Sequence, residues 1–96
     1  MVFLFHPEAE TEFLAAVDWY EERSPALGAS FAAEIRAAIL RAVAMPTAWP
    51  CVDGEIRRVL ANRFPYGILY APRPNAIYIL AVMHLKRRPD YWRERL

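Results

Sequence analysis

The run AIYILAVMH, Ala76 to His84, constrains the fold more than any other stretch, because it is patterned as a β-strand and is apolar on both faces. Ile77, Ile79, Ala81 and Met83 alternate onto one side, and Tyr78, Leu80 and Val82 onto the other. A strand without a polar side belongs in the middle of its sheet. Its neighbours are legible just upstream. Phe64 to Tyr70 sets Phe64, Tyr66, Ile68 and Tyr70 on one face, and Pro72-Arg73-Pro74-Asn75 supplies the turn into the central strand. Glu55 to Leu60 reads as a third strand, entered from an Asp53-Gly54 turn and left through an Asn62-Arg63 bend. Connections this short make the three an antiparallel meander.

The N-terminal half supplies the cover for that sheet. Val2 to Phe5 is a short β-rich run that adds an edge strand, and His6-Pro7 stops it. Pro7 suits the first turn of a helix, where its missing N–H needs no partner. Glu8, Glu10 and Glu12 lie near the positive end of that helix, and Phe13, Val17 and Tyr20 form its apolar stripe. Ser24-Pro25 ends it, with Ser24 available to cap the next helix. Leu27, Phe31, Ile35, Ile39 and Val43 recur every four residues, which predicts about five helical turns ending before Met45-Pro46. Pro46 to Pro50 is a connection, and Pro89-Asp90 starts a short C-terminal helix. The predicted fold is α+β, one domain over residues 1–96. A short strand and a helical hairpin pack on an antiparallel sheet of three to four strands.

With 56% apolar residues, the chain has too much to bury for disorder, and no apolar run reaches the ~18 residues of a membrane span. The opening MVFLFHPEAE has no basic start, apolar stretch or small-residue cleavage site of a secretory signal, so a cytoplasmic location is expected. Cys51, the one cysteine, fits a reducing compartment and reads as a packed residue rather than a nucleophile. With His6 and His84 as the only histidines, no metal-ligand spacing appears, and neither a metal nor a cofactor is expected.

Charge is divided along the chain. Met1 to Gly54 carries three arginines against eight carboxylates, and Glu55 to Leu96 carries nine Lys or Arg against three. The net +1 therefore hides a polar molecule whose second half attracts an anionic surface if its cations share a face. The plainer alternative is that the halves neutralise each other.

The words RRVLANRFPYGILY, AIYILAVMH and RRPDYWRER, in this order behind a strand and a helical hairpin, resemble the RelE/ParE superfamily of type II toxins, also called plasmid-stabilisation proteins. The ending, a strand closing on His and followed by Arg, Pro, Tyr and Trp, looks like the ParE-like branch. The resemblance covers nearly the whole chain and implies the toxin of a toxin–antitoxin pair. It also implies a small cognate antitoxin whose extended arm folds on the toxin. Direct sequence-specific DNA binding by the toxin itself is not expected, nor is a membrane partner.

Members of this fold poison DNA gyrase or cut messenger RNA on the ribosome, and the residues bear on both. RNA cleavage needs a base for the ribose hydroxyl, cations for the transition state and an acid for the leaving oxygen. If the chain is such an enzyme, the candidates are Arg57, Arg58, His84, Arg87, Arg88 and Tyr91. Arg63 is a further candidate phosphate clamp. Lys86 is the only lysine, so the lysine-rich surface typical of the ribosome-dependent nucleases is missing. Gyrase inhibition needs only a complementary surface, and the family implicates the C-terminal tail. The expected contacts are Arg87, Arg88, Tyr91, Trp92, Arg93 and Arg95, projecting as an accessible patch. A third possibility is a relative that binds its antitoxin without toxicity.

Each of these residues also has a plain structural reading. Trp92 can pin the terminal helix to the sheet, and His84 can donate to a backbone carbonyl. Arg57 and Arg58, adjacent on a strand, point to opposite faces, one toward solvent and the other toward the helices or a carboxylate. The Phe64, Tyr66 and Tyr70 row reads as packing rather than a base-stacking platform.

Overall fold

Pro7 does open a helix, and the residue before it completes the start: the His6 imidazole Nδ1 accepts the Glu8 N–H at 3.1 Å. The computed structural model describes residues 2–95. In chain order these form β1 (Val2–Phe5), α1 (Pro7–Arg23), α2 (Leu27–Ala44), β2 (Cys51–Asp53), β3 (Ile56–Leu60), β4 (Tyr66–Arg73), β5 (Ala76–His84) and a terminal 3₁₀ helix (Tyr91–Arg95).

The hairpin of α1 and α2 is closed differently from the expected Ser24 cap. Ala26 takes the left-handed cap position at φ 70°, with no side-chain cap of its own. The Glu21 carboxylate of α1 reaches over to accept the N–H groups of Gly28, at 2.9 Å, and Ala26, at 3.4 Å. The acid of one helix thus serves the positive end of the next. Gly28 permits the approach, since a Cβ there would fall 2.7 Å from the Val17 carbonyl oxygen.

The sheet has five strands in the order β1-β5-β4-β3-β2, so β5 is interior as its two apolar faces require. Two features differ from the expected antiparallel sheet of three to four strands. β1 runs parallel to β5, Val2 opposite Ala76 through Phe5 opposite Ile79, because the helical hairpin carries the chain back across the sheet. Cys51–Asp53 adds a short, irregularly paired strand outside β3, which leaves Cys51 exposed rather than packed.

The strict alternation expected along β5 is broken by a bulge. Leu69 faces Ala81 and Tyr70 faces Ile79, so Leu80 is an extra residue. Ile77, Ile79 and Val82 therefore join the core under the helices, while Leu80, Ala81 and Met83 lie on the outer face. A bulge costs no exposure here, because both faces are apolar. On β4 the predicted row holds: Ile68 and Tyr70 are buried under the helices, with Phe64 and Tyr66 packed beside them.

Phe31, Ile35, Ala38, Ile39 and Ala42 of α2 fill the centre of the helix-side core, and Phe13, Val17 and Tyr20 of α1 pack against it. A second cluster lies on the outer face around Ile56, Leu69, Ala71 and Leu80. Its lid is Trp92, which is buried and stands in the role of a pin for the terminal helix.

Candidate functional site: the docked tail and the groove beside it

β1 ends opposite Ile79, so among the described residues the remainder of β5 has no strand on that side and would leave backbone groups unpaired. Side chains take the place of the missing strand. Glu12 Oε1 on α1 accepts the Val82 N–H at 3.1 Å, and Arg95 Nη1 donates to the Leu80 carbonyl at 2.9 Å. The same two residues meet in a paired bond, Nη1 to Oε1 and Nη2 to Oε2, each 2.9 Å. The Arg95 side chain is only 8% exposed and Glu12 only 13%. Glu12 holds the Arg95 guanidinium above its ordinary pKa, against the opposing effect of burial.

Between β5 and this clamp the chain makes a short turn. His84 Nδ1 accepts the Lys86 N–H at 3.1 Å and its carbonyl accepts the Arg87 N–H at 3.0 Å. The imidazole is thus an acceptor from the backbone, where donation to a carbonyl was expected. Pro89 then accepts the Trp92 indole N–H at 2.6 Å. Tyr91 lies half-buried with the Arg87 guanidinium 3.8 Å from its ring centroid and that of Arg95 at 4.9 Å. Its hydroxyl has no partner in hydrogen-bond geometry among the described residues. Burial first, and the nearby Glu12 carboxylate second, push its pKa well above the usual phenol value.

The expected contact residues are therefore divided. Trp92 and Arg95 are inside the fold, Tyr91 is half-covered, and the tail lies on the sheet instead of projecting from it as a whole. Arg87, Arg88 and Arg93 keep exposed side chains, with Arg88 the freest at 77%. Their carboxylate partners are Glu12 at 3.6 Å for Arg87, Asp90 at 3.0 Å for Arg88 and Asp53 for Arg93. The acidic and basic halves of the chain do meet, at the tail.

A groove of about 480 Å³ runs between α1 and the open end of β5. Ala15, Ala16, Trp19, Tyr20, Tyr66 and Val82 make it mainly apolar, and Thr11, Glu12, His84 and Arg87 stand at its polar side. Arg87 thus joins the groove to the tail, lining one and stacking on Tyr91 of the other.

Arg57 and Arg58 point to opposite sides of β3, as adjacent strand positions must. Arg57 turns to the helix side and donates to the Trp49 carbonyl at 2.6 Å. Arg58 crosses the outer face, its Cδ 3.2 Å from where a Gly67 Cβ would be, over the gap that glycine leaves. Since Arg57 pairs with Tyr70, and Tyr66 with His84, Arg57 lies four residues along β4 from the histidine, or roughly 13 Å. The two are not brought together. Glu12, the residue that organises the tail, gave no sequence signal beyond its place near a helix start; its partner is 83 residues away.

Residues 3–89 match the family described as the ParE toxin of the type II toxin-antitoxin system, parDE. The chain belongs to the ParE toxin family. Among solved structures, the chromosomal ParDE toxin–antitoxin system from P. aeruginosa shares the fold with a TM-score of 0.75 at 19% identity, over 90% of this chain and 97% of the other. No curated protein matches. The match to the ParE family ends at Pro89, so membership rests on the helical hairpin and sheet, with Tyr91–Arg95 beyond it.

Proposed function

We propose that this ParE-family chain is the toxin of a toxin–antitoxin pair, acting in the cytoplasm by binding DNA gyrase and neutralised by a cognate antitoxin. The observation that carries the reading is the tail: three arginines, 87, 88 and 93, exposed on a segment docked by the buried Trp92 and the nearly covered Arg95 side chain. A fixed display of arginines suits a binding inhibitor, since little conformational freedom is lost on contact. The apolar groove beside α1, rimmed by His84 and Arg87, suits the extended arm of an antitoxin.

The ribosome-dependent nuclease reading finds less support in these groups. A general base is wanted, yet Tyr91 is held protonated, Glu12 is engaged by Arg95, and His84 Nδ1 already accepts a backbone N–H. Arg57 lies too far from His84 to share a phosphate with it. The internal pairing of Arg95 and Arg93 favours one other reading, a relative that binds its antitoxin without toxicity.

Induced expression, followed in parallel by assays for gyrase-dependent DNA cleavage and for cuts in ribosome-bound message, tests the reading. Gyrase-dependent cleavage with intact message is expected. Cut message would establish the nuclease, and neither effect would establish the non-toxic relative.

A further inference from the structure

We infer that Glu12 and Arg95 are positioning residues for the tail: their clamp docks the terminal 3₁₀ helix, and docking sets Arg87, Arg88 and Arg93 where a target meets them. The inference rests on the gyrase-directed reading for its consequence, though not for its geometry.

Three observations carry it. Among the described residues the clamp is the tail's one nearly buried ion pair, whereas the partners of Arg87, Arg88 and Arg93 are reached by half-exposed or freer side chains. A paired guanidinium–carboxylate bond fixes direction as well as distance, which a single contact does not. Both residues are also tied to the backbone of β5, Glu12 through Val82 N–H and Arg95 through Leu80 C=O, so the tail is referred to an interior strand buried on both faces. Glu12 and Arg95 thus occupy the β5 edge that no strand fills, and Trp92 follows into the outer cluster. Breaking the pair leaves a carboxylate with little solvent and no full complement of donors, which the tail can relieve only by moving.

The test uses the full-length chain in four forms: wild type, Arg95→Ala, Glu12→Gln and the double variant. Arg95→Ala leaves the Glu12 bond to Val82 in place, and Glu12→Gln keeps its shape while removing its charge, so both keep the sheet. Hydrogen exchange of the Trp92 indole N–H, which bonds to the Pro89 carbonyl and belongs to a ring buried by docking of the tail, is expected to quicken at least tenfold in each single variant, with little added in the double. Val82 N–H stays protected in Arg95→Ala. Gyrase inhibition falls at least tenfold in step with the indole exchange, and Arg95→Lys, keeping the charge without the fork, restores part of both.

Unchanged indole exchange in Arg95→Ala would overturn the clamp. Quickened exchange with full gyrase inhibition would overturn its positioning role. A wild type without any effect on gyrase would instead remove the proposed function, and the indole exchange would still decide the clamp.

Discussion

At Gly28 a single hydrogen atom decides how close two helices come. An added Cβ would meet the Val17 carbonyl oxygen at 2.7 Å and the Glu21 side chain at 2.8 Å. Gly28→Ala should therefore destabilise by up to ~2 kcal/mol, an overpacking cost of ~1–3 kcal/mol less a helix-propensity gain of about 1 kcal/mol. Urea unfolding checks this. Tyr91 makes a second residue-level case, now in pH. Its pKa is raised in the folded chain, so the unfolded chain loses that proton first as pH rises past 10.0, its ordinary value. The stability concerned is complete below that pH and is lost as pH climbs toward the folded value. Tyr91→Phe should lessen the alkaline fall in urea midpoint between neutral pH and about pH 11, without abolishing it, since burial also raises Tyr20, Tyr66 and Tyr70. Neither effect was legible beforehand. Tyr91 reads in sequence as an exposed contact, and nothing local announces a carboxylate from α1 beside it.

Elements differ in how much of themselves they declare. α2 was legible almost to the residue, because five apolar side chains four apart admit no other period and Met45-Pro46 stops them. β5 was legible as a strand and as an interior one, but its bulge was not. With both faces apolar, shifting one residue leaves the pattern unchanged to the eye. β2 was hidden by its brevity, three residues beside a proline with irregular pairing. The tail's position was the least legible, since it depends on contacts across most of the chain. These differences carry into energetics. Phe31, wholly buried and stacked on Tyr20 at 4.8 Å, should cost ~3–5 kcal/mol when replaced by Ala. Trp92→Ala removes a larger side chain yet should lower the urea midpoint less, because the terminal segment can undock while the sheet stays folded. Amide exchange should show loss of protection confined to Tyr91–Arg95 and the outer face in the second case and spread through the helices in the first.

Over the whole molecule, the divided charge of the sequence becomes a spatial arrangement. Glu8 and Glu12 of α1 and Asp53 of β2 come to Arg87, Arg93 and Arg95, so part of the second half's positive charge is spent internally. Arg87, Arg88 and Arg93 of the tail are each paired to a carboxylate but keep side chains half-exposed or freer, so a partner can compete for them on a segment docked by the clamp and Trp92. On the proposed reading of this ParE-family chain as a binding inhibitor, these arginines, rather than any acid–base group, are the contact residues. The most direct measurement is a gyrase cleavage titration of wild type against a variant with Arg87, Arg88 and Arg93 all changed to glutamine, after far-UV circular dichroism has established that both are folded. Gyrase-dependent cleavage by the wild type is expected, with a roughly tenfold or greater rise in the concentration needed by the variant. Equal potency of the two would contradict it.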